Sequence, residues 1–228
     1  FFAPATWAKE NARDLDLGSM GPLVIPGTHP IAGRSLRLVL IGDKEGKLFL
    51  LDRDDLHAAL QELEISTSFI YGGAVYFDDG VAQRIYVYAS AADLDMFVLG
   101  DSANGNFLTL AASSTVPRTQ GLPGGFLSLS ANGLSDGIVW ANHPWSPTPD
   151  ANVSAINKIV PGVLRAFDAR DPTIELWNNR ADAGAPAASV GNFAKFCPPT
   201  VANGKVYYAA WTDDPDAPGS VIVFGKRP

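Results

Sequence analysis

The feature that most constrains the folding of this chain is a short stretch that it repeats. Gly46-Lys-Leu-Phe-Leu-Leu-Asp52 returns as Gly162-Val-Leu-Arg-Ala-Phe-Asp168 and, more loosely, as Gly219-Ser-Val-Ile-Val-Phe-Gly225. A glycine-bounded apolar strand that recurs tens of residues apart marks stacked or radially repeated β architecture, in which each unit buries its faces only against its neighbours.

Around that stretch the chain divides into four units, at approximately 20–70, 71–118, 122–180 and 195–228. Each opens on a short apolar strand: Pro22-Leu-Val-Ile25, Gly73-Ala-Val-Tyr76, Gly125-Phe-Leu-Ser-Leu129 and Pro199-Thr-Val201. Each continues into a second strand, within 38–42, 85–89, 138–141 and 206–209. These runs of β-branched and aromatic residues read as strands buried on both faces. Third strands follow at 47–52, 96–100, 163–168 and 221–224, and fourth strands at 63–69, 106–112 and 173–178. The glycines at 46, 105, 162 and 219 permit a second register, with 106–112 as a third strand, but that would give the second unit one strand too many. The last unit lacks a fourth strand, and residues 1–12 are the expected donor of it, as the outer strand of a neighbouring unit. One helical turn is expected at 54–60, where Asp54 precedes Leu-His-Ala-Ala-Leu. Asn132-Gly133 and Asn203-Gly204 predict tight hairpin turns. The proline-rich segment from Asn142 to Asn152 should leave the ladder as a surface loop.

Composition agrees with an all-β chain: charged residues are only 18%, while 22 Gly and 17 Pro supply turns between buried strands. The formal charge of −7, with no Lys/Arg cluster, argues against nucleic acid, whose phosphates need a basic face. No apolar run is long enough for a membrane helix. The single cysteine, Cys197, excludes a disulfide within the chain and is read as a small buried hydrophobe.

Several segments together resemble the pyrroloquinoline-quinone-like (PQQ-like) repeat β-propellers of the quinoprotein dehydrogenase-like superfamily. They are Asp14-Leu-Asp-Leu-Gly-Ser19, the stretch from Gly46 to Leu56, Gly137-Ile-Val-Trp-Ala141, the stretch from Pro161 to Ala169, and the stretch from Phe193 to Tyr207. The resemblance implies a β-propeller domain over 1–228, with about four four-stranded blades as part of a seven- or eight-bladed ring. It also implies an extracellular or periplasmic location. The missing blades would come from a longer polypeptide, a second chain or another copy.

The quinone-dependent enzymes of the family hold their cofactor with a pair of adjacent cysteines, a tryptophan and a calcium ion, and no Cys-Cys pair is present here. The resulting expectation is a binding or assembly module. The alternative is a quinone- and calcium-dependent alcohol or sugar dehydrogenase with its active site largely outside this chain. Trp140 and Trp211, at the ends of second strands, are the candidate cofactor contacts, with core packing as the competing role. Asp14 and Asp16 are the candidate calcium ligands, although two alternating carboxylates fall short of the six to eight oxygens calcium takes. The turn acids Asp43, Glu45, Asp52, Asp54 and Asp55 are expected to be solvated or bonded to backbone amides. His143 and Trp145, in the long insertion, are candidates to contact a protein or polysaccharide ligand. Arg53, Arg165 and Arg170, beside the strand-ending aspartates, are expected to tie the corners of units together.

Overall fold

The computed structural model describes residues 1–117, 121–148, 151–180, 191–212, 214 and 216–225. The part of the proline-rich insertion at 149–150 and the last three residues lie outside the described residues. In chain order the elements are α1 (Trp7–Arg13), β1 (Leu17–Val24), β2 (His29–Ile31), β3 (Arg34–Leu36), β4 (Leu38–Asp43), β5 (Lys47–Asp52), β6 (Asp55–Glu64), β7 (Val75–Asp78), β8 (Gln83–Val87), β9 (Asp95–Leu99), β10 (Leu108–Ser113), β11 (Phe126–Asn132), β12 (Ser135–Pro144), β13 (Gly162–Asp168), β14 (Glu175–Asn178), β15 (Asn192–Phe193), β16 (Thr200–Ala202), β17 (Lys205–Trp211) and β18 (Ser220–Gly225). They form four principal antiparallel sheets: β1-β4-β5-β6, β7-β8-β9-β10, β11-β12-β13-β14, and β17 flanked by β15, β16 and β18. A small hairpin, β2-β3, stands apart from them.

The sheets pack face to face in sequence order. Leu38, Leu40, Leu48 and Leu50 of the first meet Ile85, Val87, Phe97 and Leu99 of the second. On the other face of the second sheet, Phe77, Tyr86 and Met96 meet Leu127, Val139 and Phe167 of the third. Leu164, Trp140 and Trp177 of the third then meet Val206, Tyr208 and Ala210 of the fourth. Because side chains alternate along a strand, each inner sheet must be apolar on both faces, which is why its central strands are continuous apolar runs. The opening strands also adjoin one another, β7 beside β11 and β11 beside β16. Among the described residues no sheet closes on itself.

Three local expectations are corrected. Residues 55–64 form a strand rather than a helical turn. β5 offers an open edge that they pair with, and Gln61 of β6 exchanges two hydrogen bonds with the Leu108 backbone of the next sheet, at 3.0 and 2.7 Å. Tertiary pairing here overrides the local helical pattern. Residues 7–13 form a helix rather than an outer strand. Ala8, Lys9, Glu10, Ala12 and Arg13 favour it, Asp14 ends it in the left-handed region at φ 58°, and Phe2 packs on Phe49 with ring centroids 5.3 Å apart. That contact covers the outer face of the first sheet. Finally, Asn142, His143 and Pro144 remain in the ladder opposite Leu164, Val163 and Gly162. Pro144 is the last residue of its strand, where a missing N–H interrupts nothing. The Asn203-Gly204 turn forms as expected, with φ 51° and 67° between Ala202 and Lys205.

Candidate docking edge on the fourth sheet

The fourth sheet is built differently from the other three. β18 pairs with β17 from Lys205 to Ala210, so β15 and β16 must share the opposite edge, end to end, and the sheet is only three strands wide. The outer edge of β18 has no strand partner among the described residues. Its residues, Ser220-Val-Ile-Val-Phe-Gly225, carry no charge and no proline, the two devices that commonly guard an edge.

Alternation assigns the two faces of this sheet. Ile222 and Phe224 turn toward the third sheet, while Val221 and Val223 are 66% and 49% exposed on the other side. Trp211, at the end of β17, is 49% exposed on that same open face. The face runs into an apolar groove of about 630 Å³ lined by Ile156, Ile159, Phe196, Cys197, Trp211 and Val221. Behind the groove wall, Phe126, Ala155, Val160 and Phe193 form a buried cluster, and Phe196 contacts Phe126 and Tyr71 edge-on at 5.7 and 5.9 Å. Thus the outer face of the first sheet is covered by Phe2 and the last sheet is open.

The residues singled out from the sequence do not converge on one site. Trp140 is half-buried between sheets, donates from Nε1 to Ser130 Oγ at 3.0 Å and meets Trp177 edge-on at 6.5 Å. Of the two tryptophan candidates, only Trp211 reaches the groove. Trp145 is half-buried, with the Arg180 guanidinium 4.0 Å from its ring centroid, and Arg180 is anchored through Nε and Nη2 on the Gly162 carbonyl at 3.1 and 2.7 Å. His143 is buried in β12 rather than displayed on a loop, with its ring against Tyr88 at 5.1 Å. Asp14 and Asp16 both bind Lys44 Nζ, at 3.0 and 2.6 Å, so their partner is a cation of the chain itself. Cys197 is half-buried at the groove rather than in the core.

Asp43 and Asp52 accept backbone N–H groups of the turns that follow them, as expected, and Asp168 accepts the Arg170 amide in the same way. Arg170 ties the third sheet to the second through Asp79, at 3.0 Å. Among the described residues one set of side chains is grouped as a cation would require: Glu10, Asp43 and Glu45, with one carboxylate oxygen from each within 4.8 Å of the others. Glu10 escaped the sequence reading because it lies on a segment expected to donate an outer strand. The groove residues 155–159 escaped it because they follow a proline-rich insertion. The paired isoleucines at 156 and 159 were the available signal.

No family model matches the chain, and no curated protein matches it.

Proposed function

We propose that this chain is an assembly module of the PQQ-like β-propeller type, secreted or periplasmic, whose unguarded strand β18 adds a second copy of the chain. Four sheets stacked in sequence order, with the opening strands of the second, third and fourth adjacent, support the blade reading. The single observation that carries the assembly role is the contrast between the two ends. On its outer face the first sheet has Phe49 capped by Phe2, while the fourth has no outer strand among the described residues and exposes Val221, Val223 and Trp211.

Strand addition at such an edge draws affinity from main-chain hydrogen bonds and specificity from alternate side chains. A second copy suits the edge on electrostatic grounds. Each chain carries −7, which opposes contact over most of its surface, but β18 is uncharged and brings no like charges together when it meets itself antiparallel.

Size-exclusion chromatography with light scattering tests the proposal. The purified chain should be dimeric or larger at tens of micromolar, and Val223→Lys or Val221→Lys should shift it to a monomer with unchanged circular dichroism. A wild-type chain that stays monomeric, or an oligomer indifferent to both substitutions, would overturn it.

A further inference from the structure

The grouping of Glu10, Asp43 and Glu45 joins α1 to the β4–β5 turn. Three carboxylates gathered within 4.8 Å repel one another unless a cation lies among them. Asp43 is fully buried; its Oδ1 accepts the backbone N–H groups of Glu45 and Lys47 at 2.8 and 2.9 Å, while its Oδ2 is buried with no hydrogen-bond partner among the described residues. A buried carboxylate oxygen without a donor is costly, so it marks the place where a ligand belongs. Glu10 is 4% exposed, and its carboxylate accepts only one neutral donor among the described contacts, the Thr6 hydroxyl at 2.5 Å.

The chain's own cations answer only part of this charge. Lys9 pairs with Glu45 Oε1. Lys47 reaches Glu45 Oε2 at 3.3 Å but is shared with Glu62 at 3.0 Å. Among the described contacts neither side-chain ammonium has a hydrogen bond or ion pair to the Glu10 or the Asp43 carboxylate. The donor set is all oxygen, with no imidazole or thiolate, which selects a hard cation. Calcium tolerates such an irregular set and completes its shell with water, whereas magnesium demands near-ideal octahedral geometry.

We infer that Glu10, Asp43 and Glu45 form a calcium site that clamps α1 onto the first sheet. The clamp acts with the Phe2–Phe49 contact: both hold the N-terminal segment over the outer face of that sheet. The inference is independent of the assembly role of β18.

Calcium chloride, added to the intact chain after dialysis against a chelator, is the probe. We expect about one ion bound per chain by equilibrium dialysis, and a rise in the thermal midpoint that is half-complete at about 0.1–1 mM calcium. Magnesium at the same concentrations should raise it less. Backbone amides of α1 should exchange more slowly with calcium present. Asp43→Asn keeps an oxygen for the two turn amides and removes the charge, so it should weaken calcium binding at least about 10-fold while the circular dichroism is retained. Glu10→Gln, and Glu45→Gln if either of the others fails to fold, should do the same. No bound calcium at 10-fold above that range, binding unchanged in the folded variants, or α1 exchange indifferent to calcium would each overturn the inference.

Discussion

Arg165 donates from Nε to Nε2 of His143 across 3.0 Å, buried on the face of the third sheet that turns toward the second. The contact assigns the imidazole tautomer, because an arginine can only donate, so Nε2 accepts and Nδ1–H donates to the Pro144 carbonyl at 2.8 Å. Arg165 is held in turn by Glu175 at 2.6 Å. Burial, followed by the Arg165 charge, pushes the His143 pKa down to about 3.

The sign of the pH effect follows. Between the ordinary histidine value of about 6.5 and the folded value of about 3, the unfolded chain binds a proton at His143 that the folded chain refuses. The stability this neutral histidine contributes is complete above pH 6.5 and declines as pH falls toward 3, by at most about 1.4 kcal/mol per pH unit. Urea unfolding of wild type and His143→Asn at pH 7 and pH 4 isolates the contribution. The variant's deficit should be larger at pH 7 than at pH 4; an equal deficit at both would refute the buried neutral histidine.

Two buried tyrosines should respond oppositely to loss of the hydroxyl. Tyr86 donates its hydroxyl to the Ala169 carbonyl, joining the second sheet to the end of the third. Tyr208 is also fully buried, but its hydroxyl has no partner among the described residues. Tyr86→Phe should cost about 1 kcal/mol or more, since it orphans a carbonyl, whereas Tyr208→Phe should be neutral or stabilise by up to about 1 kcal/mol. Denaturant midpoints at equal m-values decide both.

Gly46, which opens the repeated stretch, has φ 83°, and a Cβ there would sit 2.0 Å from the Ser66 carbonyl oxygen. Both the left-handed backbone and the neighbouring backbone resist a side chain. Gly46→Ala should therefore lose about 2–3 kcal/mol in denaturant unfolding, more than the fraction of a kcal/mol expected of a surface substitution.

Asp79 links sheets two and three. Its carboxylate accepts the amides of Val81 and Ala82, Arg84 of its own sheet at 2.9 Å and Arg170 of the next at 3.0 Å. These donors, the Ala82 amide foremost and then Arg84, hold its pKa well below the usual carboxylate range. Asp79→Ala should lower the unfolding midpoint more than Arg170→Ala, because it strands more donors. A double-mutant cycle should show positive coupling between the two, and additivity would deny the link.

Much of the strand pattern was legible because each strand announces itself locally. Leu38–Asp43, Lys47–Asp52 and Lys205–Trp211 are runs of apolar and β-branched residues bounded by turn formers, and the structure places strands there. Even the choice of 96–100 over 106–112 as third strand holds, with β9 inside and β10 outside it. Where propensity and pairing disagreed, the sequence misled. Residues 55–64 have local helical character, yet the free edge of β5 recruits them as a strand. Residues 7–13, taken for a strand donor, fold into a helix.

The sites were less legible than the strands, since both depend on residues distant in sequence. Glu10 stands 33 positions from Asp43, and nothing in either neighbourhood names the other. Likewise the groove beside Trp211 takes a wall from Ile156 and another from Phe196. By itself the sequence determined the four-fold recurrence, the strands and their turns, because hydrophobic periodicity and glycine conformation are properties of a few adjacent residues. Only the tertiary structure decided which sheet face is covered, which edge is left open, and which carboxylates meet, because burial and charge proximity are set by whichever distant segments arrive beside them.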